Sequence, residues 1–230
     1  MTQILGPRER GVSSPIRLRI VSAVKQEDKR DSRDPTPSNE AAAKPVEGFI
    51  PLHGGYEALH SFQKAQIVFD ATVYFCARFL EKRDRTYDQM VQAARSGKQN
   101  IVEGSQISGT SKELELKLTN VARASLEELL TDYGDFLRNR GLKVWAKDHP
   151  YTRRLRQLNR TPGANYETFR KGIEHPDPAI CANVILGLVK VTNYLLDRQI
   201  VALEKAFIKN GGMREAMMRA VGRSTRSVAA

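Results

Sequence analysis

From Pro178 to Lys209 the chain reads PAICANVILGLVKVTNYLLDRQIVALEKAFIK. Two adjoining apolar stripes run through it. One is Ile180, Val184, Leu188, Val191 and Leu195; the other is Ile185, Val189, Leu196, Ile200, Leu203 and Phe207. Steps of three, four and seven residues mark a helix rather than a strand, whose faces alternate. At 1.5 Å per residue the helix is ~48 Å long. A helix in a monomeric four-helix bundle needs a single apolar stripe. Two stripes fit either a helix deeply buried in a monomer or a helix whose extra stripe packs against another subunit. We favour the second, because an exposed stripe of that length is an unusually large patch for a monomer. The second stripe, Ile185, Val189, Leu196, Ile200, Leu203 and Phe207, is therefore the candidate oligomer interface.

Three more helical periods precede this one. The first spans about Glu57 to Glu81, with Leu59, Phe62, Phe69, Val73, Cys76 and Leu80 on its apolar face. The second spans about Arg85 to Glu103. Its seam Met90, Ala94, Gly97, Ile101, Gly104 is mostly small, and glycine costs a helix ~1 kcal/mol, so Gly97 implies close approach of a neighbouring backbone. A break is expected over residues 104–109. Thr110 and Glu113 have capping-box spacing, opening a third helix near Ser111. Its apolar line is Leu114, Leu118, Val121, Ser125 and Leu129, flanked by Ala122, Leu126, Leu130, Tyr133 and Leu137, and Gly141 ends it as a C′ glycine.

The chain has 230 residues, 37 Lys and Arg against 26 Asp and Glu, and a net charge of +11. With 40% apolar and 7% aromatic residues, a membrane bundle is excluded and a large β-sandwich is disfavoured. No run is expected to approach the ~18–20 apolar residues that a spanning helix needs. Cys76 and Cys181 make no disulfide framework and fit a reducing, cytoplasmic compartment. Residues 1–47 hold five prolines and no apolar period, and read as a disordered leader. Ile16–Val21 is an exception that alternates like a short strand, and a transit peptide is the alternative, opposed by Glu27, Asp28, Asp31 and Asp34. The bundle is expected over 48–209 and a suffix segment over 210–230, where Gly211-Gly212 stops the fourth helix. Met213, Ala216, Met217, Ala220 and Val221 then follow at helical spacing.

The motifs resemble a known family. Tyr56 to Ala65 (YEALHSFQKA) is similar to the opening helix of the bacterial four-helix-bundle proteins of ribosomal-RNA intervening sequences. Gln89, Ala93, Ala94, Ser96 and the run Asn100-Ile101-Val102-Glu103-Gly104 resemble that family's second helix. Ser111-Lys112-Glu113, Leu118, Ala122, Ser125-Leu126 and Glu128 resemble its third. Residues 207–217 are similar to the extension of the "four helix bundle suffix domain" subgroup. The resemblance implies an antiparallel up-and-down bundle assembled into a ring-shaped homo-oligomer, a pentamer. It also implies kinship with the accessory protein of diversity-generating retroelements, which holds a reverse transcriptase and nucleic acid, and it does not imply a known enzymatic activity. Where the family often carries paired basic residues, this chain has Val91-Gln92 and Gly109-Thr110, so no nucleic-acid surface is expected at those two spots.

The basic charge is concentrated. Residues 138–172 net +8 and residues 208–230 net +4. The former lie in a connection, 141–178, far longer than the ~2–8 residues usual between bundle helices. Arg138, Arg140, Lys143, Lys147, Arg153, Arg154, Arg156, Arg160, Arg170 and Lys171 are interleaved there with Trp145, His149, Tyr151, Tyr166 and Phe169. Cations neutralise phosphates and aromatics stack on unpaired bases, which makes this the candidate site for RNA or DNA. The plainer reading is a small helical hairpin with the aromatics inside and the charges solvated. In a ring the patch would be repeated in every subunit.

No catalytic constellation, metal site or cofactor motif stands out. Glu103 as a general base lacks a partner group, so Asn100 and Glu103 read as binding backbone at the end of the second helix. The four histidines show no ligand spacing, and no phosphate-binding glycine loop or nucleophile elbow occurs. The sequence therefore predicts a non-enzymatic, cytoplasmic, all-α oligomer that binds nucleic acid or a ribonucleoprotein. The alternative is a protein–protein adaptor for a partner such as a reverse transcriptase.

Overall fold

The computed structural model describes residues 54–211, together with Met218. The leader over 1–47, its strand at 16–21 and the suffix helix beginning at Met213 lie outside the described residues, Met218 apart. Within them the chain is all helical. A 3-10 turn, Tyr56–Ala58, precedes α1 (His60–Phe79), α2 (Arg85–Ile107), α3 (Lys112–Asn139), α4 (Pro150–Asn159), α5 (Tyr166–Ile173) and α6 (Pro178–Asn210).

Local chemistry sets most of the ends. Asp84 caps α2 by accepting from the Thr86 amide at 2.8 Å. Asp177 caps α6 through the Ala179 amide, with Pro178 in the first turn, where its missing N–H costs nothing. The cap of α3 is Ser111, whose Oγ accepts from the Leu114 amide. Thr110, expected in that role, donates instead to the Ile107 carbonyl. Gly141 ends α3 as expected: its φ is +66°, and the Leu142 amide returns to the Leu137 carbonyl at 2.9 Å, a Schellman closure. The break expected at Gly104 falls later. Gly104 and Ser105 are buried inside α2, which runs to Ile107: Gly104 lies against Glu115 and Leu118 of α3, and Ser105 Oγ donates to the Gly54 carbonyl at 3.0 Å.

The four long helices contact one another in the cycle α1–α2–α3–α6. Arg123 pairs with Asp197 at 2.5 Å and Asn193 donates to Glu127 at 2.9 Å, fixing α3 against α6. Ser61 donates to Gln199 at 2.7 Å, fixing α1 against α6. Ala65, Val68, Phe75, Met90, Leu126, Leu129, Leu188 and Leu196 have no more than 0% exposure, and burial of each large side chain stabilises by about 1.5–3 kcal/mol. Phe75 meets Tyr133 and Phe136 edge-on, at 5.0 and 4.8 Å. The Tyr133 hydroxyl, buried with them, donates to Thr72 Oγ1 at 3.1 Å.

Gly97 behaves as its position implies, with one change. A Cβ built on it would lie 2.6 Å from Leu126 Cγ, so a side chain, rather than backbone, makes the close approach. The outer line of α3 needs correction as well. Leu114 and Val121 are exposed, and the buried face is Glu115, Thr119, Ala122, Leu126, Leu129, Tyr133, Phe136 and Leu137. The core face is thus turned from the line first read, because α2 and α6 approach α3 from that other side.

The wide face of α6 has a different cause from the one expected. Ile185, Val189 and Leu196 are fully buried within this one chain, which removes them from the candidate interface. Ile200 and Leu203 are half-buried and Phe207 is exposed. Other helices of this one chain lie against α6: α1 and α3 along the bundle, and α5 and α4, which meet Val184 of the first stripe and Gly187. A further correction concerns length and hydropathy. α6 is long and apolar enough to cross a membrane, although 61% of its most apolar stretch is buried against the rest of the chain.

Candidate nucleic-acid interface

The inserted connection is built on α6 rather than hanging from it. Asn183, a buried side chain of α6, donates to the carbonyls of Lys143 and Ala179 and accepts from the Trp145 amide at 2.8 Å. One amide side chain therefore satisfies both edges of the loop at 143–145 and fixes where Trp145 sits. Two glycines allow the short helices to close in. A Cβ on Gly172 of α5 would meet Val184 Cγ2 at 2.9 Å, and one on Gly187 of α6 would overlap Leu155 of α4. Pro150 starts α4, and Asn165 and Thr168 close a reciprocal capping box on α5.

The ten candidate cations fall into two groups. Arg138 is paired with Asp135 at 2.9 Å. Arg170 is held between Glu167 and Glu174, at 3.2 and 3.0 Å. The Arg140 guanidinium lies 3.9 Å over the Phe136 ring. Lys143, Lys147, Arg153, Arg154, Arg156, Arg160 and Lys171 are all exposed, and no carboxylate lies within salt-bridge distance of them among the described residues. The pairing of Arg170 was legible in the sequence, since Glu167 and Glu174 stand three residues before and four after it.

The aromatics divide too. Phe169 is buried at 2% exposure under the insertion, and Tyr166 is half-buried with its hydroxyl donating to Glu174. Burial and the Glu174 carboxylate raise that phenol above its ordinary range. Both follow the plainer reading of packed aromatics. Trp145, His149 and Tyr151 form a separate cluster: Trp145 stacks on His149 at 4.9 Å with the rings nearly parallel, and Tyr151 sits 5.1 Å from Trp145.

Beside this cluster lies a cleft of about 480 Å3 between the insertion and the N-terminal half of α6. Its apolar wall is Leu155, Leu158, Phe169, Ile180 and Val184, with Trp145 and Tyr151 at one side. Arg154, Lys171 and His175 supply its polar edge, together with Glu167, which Arg170 already holds. Sequence reasoning missed His175, Ile180 and Val184 as parts of this site, because the last two read only as one stripe of a long helix.

A second groove, between α2 and α3, has the opposite character. Asp88, Glu128 and Asp132 line about 680 Å3 with Gln89, Gln92, Ser96 and Ser125. Burial, then Asp135 and Glu128, raise the Asp132 carboxyl. The motif residues meet here: Ser96 and Ser125 hydrogen-bond at 2.9 Å, and Asn100 donates to the Ser96 carbonyl one turn back in its own helix. Glu103 is exposed, and Glu113 pairs with Lys117 at 2.7 Å. The surface carrying these motifs is acidic and polar, and the basic surface lies on the insertion. No family model matches the chain, and no curated protein or solved structure matches it either.

Proposed function

We propose that the chain is a non-enzymatic, antiparallel four-helix bundle of the intervening-sequence type, cytoplasmic and assembled into a ring. In this reading it binds structured RNA or a ribonucleoprotein through its inserted helices. The observation that carries this reading is the set of seven exposed cations, without carboxylate partners among the described residues, on one anchored segment beside an aromatic cluster. Such cations attract phosphates and release counterions, a driving force that salt removes. If about six phosphates are contacted, affinity falls ~10³-fold between 50 and 200 mM salt. Replacing Arg153, Arg154 and Arg156 with Glu should abolish retention of RNA at low salt while leaving the helical circular-dichroism spectrum intact. Unchanged retention would reject the patch. The contact cycle and the register of Arg123 with Asp197 and Asn193 with Glu127 support an antiparallel bundle.

A second reading, an adaptor for a partner protein, draws support from the far end of α6. Val201 is 47%, Phe207 37% and Ile208 84% exposed there, leaving apolar surface for protein contact, a second copy included. Light scattering on the eluting protein separates these cases: a ~26 kDa particle with no RNA affinity favours the adaptor and rejects the ring.

A further inference from the structure

We infer that the cleft between the insertion and α6 is a pocket for a single unpaired nucleobase, so that the protein prefers single-stranded to fully paired nucleic acid. This rests on the nucleic-acid reading above and narrows it to one substrate class. The cleft combines the two features that such a ligand requires. Its lining is largely apolar and aromatic, with Trp145, Tyr151, Phe169 and Val184 among its residues. Its edge carries Arg154 and Lys171, neither paired with a carboxylate among the described residues.

A flat ring with a phosphate on each side matches this arrangement. An aliphatic ligand would leave the cations unused, and a free phosphate would leave the apolar wall unused. His175 adds a donor, since its Nδ1 accepts from the Asp177 amide at 3.0 Å, leaving Nε2 to carry the proton. The cleft is concave and is lined by α4, α5 and α6, so a base stacked inside a duplex cannot enter it. A base in a loop or single strand can, and every base has a face to stack. Tyr151 is 55% exposed and is not needed to hold the insertion on α6, a task performed by Asn183, Leu155 and Phe169.

Trp145 is the only tryptophan of the chain, so its fluorescence reports on this cleft alone. The test titrates the full chain with a single-stranded RNA octamer, a fully paired RNA duplex of the same length, and inorganic phosphate. Trp145 emission is read in parallel with retention of labelled RNA on a filter. The single strand should change the emission and bind at least ~10-fold more tightly than the duplex, and phosphate should leave the emission unchanged. Tyr151→Ala should weaken the single strand ~10-fold, as loss of one stacking platform does, and so bring its affinity towards that of the duplex.

RNA retained with silent Trp145 emission, or equal affinity for duplex and single strand, overturns the pocket while leaving the basic patch standing. An equal emission change with phosphate alone, or an unaltered single-strand affinity in Tyr151→Ala, also overturns it. Retention of neither RNA at low salt overturns the nucleic-acid reading itself, and the pocket with it.

Discussion

Gly187 of α6 lies directly against Leu155 of α4, so close that a Cβ added to the glycine would overlap the leucine's Cδ2. This contact seats α4 on α6, and with Asn183 it holds the basic segment in one place. Gly187→Val should unseat α4, at a cost of about 1–3 kcal/mol, the usual range for overpacking. Limited trypsin digestion reads the effect directly, since Arg153, Arg154 and Arg156 lie on α4. Faster cleavage there, with α1, α2 and α3 still protected, is the expected result. Unchanged cleavage would show that Leu155 yields freely.

Gly97 and Gly104 share one seam of α2 but differ in the room beside them. A Cβ at Gly97 would be 2.6 Å from Leu126 Cγ, whereas at Gly104 its nearest neighbours are at 3.4 Å. Gly97→Ala should therefore destabilise the fold by about 1–3 kcal/mol. Gly104→Ala should be neutral or gain up to ~1 kcal/mol from helix propensity. Urea unfolding midpoints decide this, and equal losses at both sites would contradict the difference in packing.

Lys64 of α1 is 8% exposed, and its Nζ finds no hydrogen-bond partner among the described residues. It lies 4.8 Å from the Phe169 ring centroid, and burial lowers its pKa. An unsatisfied buried donor costs about 1–3 kcal/mol, more than the ~0.5–1 kcal/mol of a cation–π contact. Lys64→Met keeps the volume and removes the amine, and should raise stability by about 1 kcal/mol. A loss of stability in urea would mean that the contact with Phe169 outweighs desolvation.

Cys76 and Cys181 are both buried, and burial pushes each thiol up to about 12, with Asp132 adding to the effect at Cys76 and Cys76 adding to it at Cys181. An unfolded thiol ionises near ~8.5. Below that pH both states keep their protons and the contribution is fully present. Above it the unfolded chain deprotonates first and stability is lost as pH rises towards 12. Urea midpoints should fall from pH 8 to pH 10, less steeply in a Cys76→Ala, Cys181→Ala variant. Both thiols should also resist a thiol reagent at pH 8 until urea is added.

Helix ends are set by residues acting on their own helix, and among them the sequence reading had Gly141 right and placed the third helix's cap one residue early, at Thr110 instead of Ser111. Asp84, Ser111, Asn165 and Asp177 cap by reaching two or three residues ahead, and Gly141 closes α3 through amides beside it. Even the neutralisation of Arg170 is a matter of spacing along one short helix. The polar cleft residues are different. Lys171 and His175 stand four residues apart at the end of α5, but Arg154 of α4 joins them only because α4 packs against α5 and α6, which no local period encodes.

By itself, then, the sequence determined that this chain is helical, where most helices start and stop, and that positive charge concentrates in the connection between α3 and α6. Periodicity and capping are interactions over three or four residues, and they are written in the order of the chain. Tertiary structure alone decided what covers the wide face of α6. Ile185, Val189 and Leu196 look the same in the sequence whether a neighbouring subunit or the chain's own helices lie over them. Burial depends on where remote segments come to rest, and it is Leu155, Phe169 and Asn183, on or against the insertion, that brought its helices onto α6 and left the cations facing outward.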